Sequence, residues 1–302
     1  MADLAPAPAG ATPPPALSVD EAQELAGRHE LRALGERPPL GQYLRDLWQR
    51  RSFLWTLSRA ESYAVHEANA LGQLWSVLNP ALLIGSYYLI FGLLLSTRGN
   101  IENFVGFLSI GVVMFAFTSA VVTRGARAIT GRLSLVRTLH FPRAILPMSV
   151  TLSELLASLA GFGLLFILMF ATGEPAQWKW LLFPVAVVLQ AVTLLGLALI
   201  TARLVNVSAD IANLVPVAVR LLRYVSGVFF PVAHYVQGAP ALVQNVLTLQ
   251  PFALMLTTSR QALLSGQPVV LLDWVVMLGW AVVTAAVGLV VFWRAEARYG
   301  LV

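Results

Sequence analysis

RTLHFPRAILPMSVTLSEL, residues 137–155, is the stretch that decides how the chain is read. It opens with Arg137, His140, Pro142 and Arg143, and from Ala144 to Gly173 the only charged residue is Glu154. Roughly 20 apolar helical residues cross the hydrocarbon of a bilayer, so 144–173 predicts a membrane-spanning helix. Its approach is a polar corner with two prolines. The residue before a proline is pushed out of the helical region, so a helix running up to Pro142 ends there. Pro147 falls in the first turns of the next helix, where proline does least harm.

Five further apolar segments surround this one, at about 74–96, 104–123, 180–202, 211–236 and 273–293. With 58% hydrophobic and 12% charged residues, the chain carries about half the charge of an ordinary soluble domain. The expected fold class is all-α integral membrane, with six transmembrane helices. Cys 0 excludes disulfides and thiolate metal sites. The net charge of +5 is an arginine excess whose placement matters more than its size. Arg124, Arg127, Arg132, Arg137 and Arg143 fill the loop after the second segment, Arg203 follows the fourth, and Arg294 and Arg298 follow the last. The loops on the other side hold Arg98, Lys179 and Arg260. Basic residues collect in short cytoplasmic loops. This predicts a multi-pass protein of the plasma (inner) membrane with both termini cytoplasmic, and explains the positive charge without nucleic acid.

Residues 1–39 read as a cytoplasmic N-terminal tail, distinct from a transmembrane domain over 40–302. MADLAPAPAGATPPPA, residues 1–16, is Ala/Pro-rich and lacks the pattern of a signal peptide. Ser18 and Glu21 have capping-box spacing for a short helix over about 19–35, ended by Pro38 and Pro39. In 40–56, Leu40, Tyr43, Leu44, Leu47, Trp48 and Leu54 fall near helical spacing, with Arg45, Arg50 and Arg51 off that stripe. This pattern suits an amphipathic helix at the membrane interface; a helix packed on a soluble partner is the other reading. Residues 239–264, broken by Pro240 and Pro251, predict two short helices dipping part-way into the membrane from outside, between the fifth and last spans.

GRLSLVRTLHF, residues 131–141, predicts a short helix with Leu133, Val136, Leu139 and His140 near one face. It is either a contact that receives force or a basic loop that only fixes topology. Arg220 and Arg223 are three apart and share a helix face, and each would cost about 2.5–3.5 kcal/mol facing lipid at the bilayer centre. They either bind a substrate diphosphate, whose oxygens suit guanidinium forks, or snorkel or pair with Asp210 or Glu154. Glu154 itself is expected to pair with an arginine of a neighbouring span. Tyr87, Tyr88 and Phe91, with Tyr224, Phe229 and Phe230, could line a conduit whose cargo stacks on their rings, or pack helices. Ala157 and Gly161 have small-xxx-small spacing. No carboxylate pair at acid/base spacing occurs, so no catalytic residue is assigned. His29, His66, His140 and His234 lie in separate segments, so no metal is expected. No G-x-x-x-x-G-K-[ST] loop occurs, so the chain lacks the usual cradle for ATP phosphates.

FPRAILPMS, residues 141–149, resembles the corner of ABC-2 type permeases that export polysaccharides such as O-antigen, teichoic acid, capsule and galactan. LGQLWSVLNPALLIGSYYLIFG resembles that family's first span, with Leu71, Gly72, Trp75 and Pro80 at its motif positions. VSADIANLVPVAVRLLRYVSGVFFPV resembles its fifth span, with Asp210 and Ile211 at the "DI" position. LQPFALMLTTSRQALL and FWRAEARYG resemble the segments before and after the last span. The resemblance covers roughly 40–302. Ser226-Gly227 departs from a Ser-Pro common among relatives.

The resemblance implies a homodimer working with two copies of a separate ATPase subunit. That subunit binds ATP and Mg, so this chain needs no cofactor and is not an enzyme. Gly131, Arg132, Leu133, Val136, Arg137, Leu139, His140 and Phe141 would form the coupling helix docking on the ATPase. Leu71, Gly72 and Trp75 would form a cytoplasmic gate, and 239–264 a re-entrant pair. The implied cargo is a polyprenyl-diphosphate-linked polysaccharide, with an arginine-rich, lysine-poor composition favouring a galactan cell-wall precursor. The alternatives are an ABC-2 drug or lipid exporter permease, and a membrane enzyme acting on polyprenyl phosphates.

Overall fold

The computed structural model describes residues 38–67, 74–94, 101–139, 141–296 and 299, together with Ser18, Glu21, Glu24, Leu25 and Arg28. The chain divides into two units, Met1–Arg37 and Pro38–Val302. In the first, Ser18 and Glu21 form a reciprocal cap. The Ser18 N–H and hydroxyl donate to Glu21 Oε2 at 2.9 and 2.7 Å, and the Glu21 N–H donates to Ser18 Oγ at 3.3 Å. Two donors at the helix start are thereby satisfied, as the spacing predicts.

The second unit is helical, with no strand among its described residues. Helix α1 (Leu40–Gln49) turns at Arg50 into α2 (Arg51–Glu67). Helix α3 (Leu74–Tyr87) contains Pro80 and widens into π-helical turns over Tyr88–Leu94. Then follow α4 (Phe104–Ala126), the short α5 (Leu133–Thr138), α6 (Ile145–Ala171) and α7 (Phe183–Val207). Next come α8 (Ile211–Val225), the four-residue α9 (Val232–Tyr235), α10 (Ala241–Thr248), α11 (Pro251–Leu263) and α12 (Leu271–Arg294).

Five helical stretches among the described residues are long and apolar enough to cross a membrane: Val77–Leu94, Phe104–Ala126, Ile145–Ala171, Trp178–Val207 and Leu271–Arg294. The sixth expected span, 211–236, is not one continuous helix. Helix α8 stops after 15 residues, about 22 Å of rise, short of the roughly 30 Å hydrocarbon. The stop is local: Gly227 has φ +82, a left-handed backbone that glycine adopts freely and that ends helices. The helix predicted over 131–141 is likewise shorter. A 3₁₀ turn covers Thr130–Arg132, α5 spans six residues, and Leu139 is already extended.

Helix α4 is the central element, 78% buried within the chain, whereas the Val77–Leu94 stretch is 11% buried. An apolar helix left this open needs lipid or another protein along it. Helices α7 and α12 cross at glycines. A Cβ built on Gly196 would overlap the backbone of Thr284, and one on Gly288 would overlap that of Gly196. Such small residues let two backbones touch. Gly161 also packs on α4, 3.3 Å from Val113 as judged by its ideal Cβ, so that part of the small-residue pattern is a helix contact.

The two ends of the bundle differ in chemistry. At one end Tyr43 of α1 donates to Glu296 beyond α12 at 2.9 Å and accepts from the Ala144 N–H at 3.2 Å. The Trp293 indole donates to the Pro38 carbonyl at 2.9 Å. At the other end Asn103 caps α4 by accepting from the Gly106 N–H at 2.8 Å, while its amide donates to Thr172 and Glu174. Glu174 also accepts from the Ser265 N–H at 2.9 Å, and Lys179 reaches the Gln267 carbonyl.

Candidate functional site

Helices α3 and α8 bring together residues far apart in sequence. The Phe229 ring lies 4.8 Å from Tyr87, 4.7 Å from Phe91 and 5.6 Å from Tyr224. Arg223 Nη1 donates to the Tyr87 hydroxyl at 3.1 Å, and its guanidinium sits 5.4 Å from the Phe115 ring centre. Four of the six expected conduit aromatics therefore form one cluster, with Arg223 on its edge. Tyr88 turns instead to Phe104 and Phe230 to Tyr235, at 6.4 and 4.4 Å. Phe229 is buried, but Tyr224 is 57% exposed and Arg220, one turn away on α8, is exposed too. The patch thus presents an aromatic face and guanidinium donors at the surface of the chain, a combination suited to sugar rings next to phosphate.

Phe115 lies midway along α4 and Tyr87 midway along the first apolar stretch, so Arg223 sits near half-height of the bundle. A cation there is costly against lipid, and the Tyr87 hydroxyl and the Phe115 ring offset part of that. Helix α8 ends just beyond it, where the Gln250 amide donates to the Val225 carbonyl at 3.1 Å. The turn between α10 and α11 also meets α12, for the Trp280 indole donates to the Leu249 carbonyl at 2.8 Å.

Arg260 holds the break after α8. It is 6% exposed and donates to the carbonyls of Gly227 at 2.9 Å, Val228 at 3.0 Å and Phe107 at 3.3 Å. Its guanidinium stacks 3.4 Å from the Phe107 ring centre. Buried arginine is tolerated when its donors are all used; here backbone carbonyls and an aromatic face take them. Sequence reading treated Arg260 only as a loop charge. Its signal was present: an arginine in an otherwise uncharged helix with no acidic residue within two turns.

The basic loop between α4 and α6 is tied into the protein. Arg132 pairs with Glu61 of α2 at 2.8 Å, and Ser149 of α6 lies within hydrogen-bond reach of both. Burial raises the Glu61 pKa against the pull of the Arg132 and Arg124 charges. Arg124 pairs with Glu154, the partner type expected for that carboxylate. Val136 is buried, Leu133 half-buried, and Phe141 meets the Phe53 ring edge-on at 5.5 Å. Gly131, Arg137 and Leu139 are exposed. The corner beyond is docked as well: the Arg143 N–H donates to Glu296 Oε1 at 2.8 Å and its side chain to the Glu296 carbonyl. Burial pushes the Glu296 carboxyl above its ordinary pKa, against the opposing donors from Arg143 and Tyr43. Trp75 is half-buried at the start of α3; Leu71, Gly72 and His140 lie outside the described residues.

The profile of the ABC-2 type transporter family matches residues 53–264, spanning the aromatic patch, the basic loop and Arg260. The chain belongs to the ABC-2 type transporter family. Three O-antigen export system permease proteins RfbA are similar to this permease. One from Myxococcus xanthus is 31% identical over 262 residues, 85% of this chain and 94% of that protein. Two from Klebsiella pneumoniae are 23% identical over 236 residues and 24% over 202, covering 78% and 67% of this chain and 88% and 76% of theirs. The permease is thus a multi-pass membrane subunit of a transporter rather than an enzyme, and its family membership implies a partner ATPase.

Glu61 and Glu296 escaped the sequence reading, and Tyr43 figured there only in the amphipathic stripe, without its partners. Each is an ordinary surface-type residue whose partner lies on a distant segment, and no spacing announces that.

Proposed function

We propose that this permease exports a lipid-linked polysaccharide across the plasma membrane. The similarity to the Myxococcus xanthus O-antigen export permease over 94% of that protein's length carries the reading. The aromatic patch with Arg223 and Arg220 supports it: sugar rings stack on aromatic faces, and a polyprenyl diphosphate offers oxygens to guanidinium forks. In this reading two copies of the permease meet along the open faces of α3 and α8, and the cargo passes between them. Two copies of the partner ATPase bind ATP and Mg and push on the exposed side of 131–141, through Gly131, Arg137 and Leu139. Leu71, Gly72 and Trp75 form the inner gate. A galactan cell-wall precursor is the favoured cargo.

The same contacts support a topology for this reading. Tyr43, Arg143 and Glu296 meet at the arginine-rich end, which the charge rule makes cytoplasmic; both termini then lie inside, and an even number of crossings is required. Helix α8 with the turn and bend that Arg260 holds after it supplies the sixth. Helices α10 and α11 form the re-entrant pair, supported by the meeting of their turn with Val225 and Trp280. Helix α1 lies on the inner membrane surface, supported by Trp48, 70% exposed, beside exposed arginines.

Depletion of the permease in its own cell tests the cargo. Surface polymer falls and lipid-linked glycan builds up inside if the reading holds. Drug sensitivity with normal polymer would instead identify a drug exporter.

A further inference from the structure

The break after α8 carries an inference about how the aromatic patch is built. Features of three elements converge on Gly227 and Val228. Gly227 itself has a left-handed backbone, φ +82, which glycine enters freely and other residues resist. On α4, Gly111 leaves room for the break: a Cβ there would lie 2.6 Å from the Val228 carbonyl oxygen and 2.8 Å from Arg260 Nη2. From α11, Arg260 donates through Nη1 to the Gly227 carbonyl and through Nη2 to that of Val228, at 2.9 and 3.0 Å. A guanidinium is a rigid planar fork, so it fixes the direction of two successive carbonyls and, with them, the course of the chain. The fork is itself held by the carbonyl and ring of Phe107 on α4. Its helix is held too, since the neighbouring Gln261 joins Asp273 and Trp274 at 2.6 and 2.9 Å. The residue that follows the clamped pair is Phe229, 2% exposed, whose ring meets those of Tyr87, Phe91 and Tyr224 alike.

We propose that Arg260 is a positioning residue for cargo recognition: by clamping Gly227 and Val228 it seats Phe229 as the keystone of the aromatic patch. Tyr224 is exposed, and Tyr87 and Phe91 are half-buried, so the cargo meets these three rings while Phe229 stands behind them. Arg260 touches no cargo, and its effect passes through Phe229. The inference rests on the exporter reading, which makes the patch the surface on which sugar rings stack. Without the clamp the chain after α8 has no fixed course, and the three outer rings lose their common support.

The permease in complex with its ATPase, in lipid nanodiscs, is titrated with the lipid-linked glycan extracted from permease-depleted cells while ATP turnover is followed. Arg260→Lys keeps the charge but replaces the fork by a single point of donors; Phe229→Leu removes the keystone ring. Each is expected to raise the glycan concentration at half-maximal stimulation about tenfold, with maximal turnover within about twofold of the parent. The double variant is expected to match Phe229→Leu, because residues that act through one another are not additive. Gly111→Ala, which presses on the Val228 carbonyl and leaves the charge in place, is expected to behave as Arg260→Lys does. It takes that variant's place in the cycle should Arg260→Lys fail to fold. Effects that multiply in the double variant overturn the inference, as does an unchanged half-maximal concentration in Phe229→Leu. So does an Arg260→Lys permease that loses maximal turnover alone, the mark of a purely structural role. A parent complex that the glycan does not stimulate overturns the exporter reading itself, a failure seen before any variant is made.

Discussion

Arg223 and Tyr87 show how much one hydrogen bond at half-height of a membrane bundle is asked to do. Hydrogen bonds to charged groups are worth about 1.5–3 kcal/mol, so Arg223→Gln is expected to lower glycan-stimulated ATPase turnover about tenfold or more. Tyr87→Phe keeps the ring against Phe229 and loses only the hydroxyl that accepts this charged hydrogen bond, so its effect should also be about tenfold or more. Titrating turnover against purified lipid-linked glycan checks both, and equal activity of parent and Arg223→Gln would remove Arg223 from the cargo path. Glu174 gives a pH prediction at the end opposite the arginine-rich loop. Burial pushes its pKa up, but the Ser265 and Asn103 donors and the Lys179 charge outweigh that and hold it below the ordinary 4.5. A depressed carboxylate stabilises the native state above its ordinary pKa and loses that contribution as pH falls through the lowered value. Protection of the Ser265 amide relative to its intrinsic exchange rate should therefore be high at neutral pH and fall as the pH drops below about 4.5. Residues such as Arg223 and Glu154 were legible in the sequence because a charge in an apolar run is conspicuous. Glu61, Tyr43 and Glu296 were not, since their meaning lies in contacts across the chain.

At the scale of helices, hydrocarbon length was the readable quantity. The segments 104–123, 144–173, 180–202 and 273–293 appear as the long helices α4, α6, α7 and α12, with ends displaced by a few residues. Hydropathy failed at 211–236 because it counts apolar residues and cannot see that Gly227 adopts a left-handed backbone. It failed at 131–141 for a related reason: a helix of six residues is set by its anchors, Val136 in the core and Arg132 on Glu61, and by little that local sequence reports. The α7–α12 crossing makes a sharp prediction. Gly196 faces backbone atoms of Thr284 and Ala285, which cannot rotate away as a side chain would. Gly196→Leu should cost at least the 1–3 kcal/mol typical of overpacking, about that much for Gly196→Ala. Thermal unfolding in detergent measures it; an unchanged midpoint for Gly196→Leu would mean that the two helices do not touch there.

At the scale of the molecule, both ends of the Pro38–Val302 unit are explained by one arrangement. The corner quoted at the outset is a junction: Arg143 and Ala144 join the basic loop, α1 and the end of α12 at one buried carboxylate, Glu296. Prolines stiffen that junction, and a rigid junction transmits displacement. The opposite end closes around Glu174 and Asn103, and between the two lie the aromatic patch and Arg223. In the proposed reading such a chain supplies the path and the contact for force, and its partner supplies ATP hydrolysis. The measurement that tests this most directly is reconstitution of the permease with its ATPase partner in liposomes. ATP-driven movement of a lipid-linked glycan to the far side is then followed against common drugs as competing cargo. The account predicts a stable complex of two permeases and two ATPases that moves the glycan, hydrolyses ATP faster in its presence and ignores the drugs. A complex that moves drugs and leaves the glycan in place would contradict it.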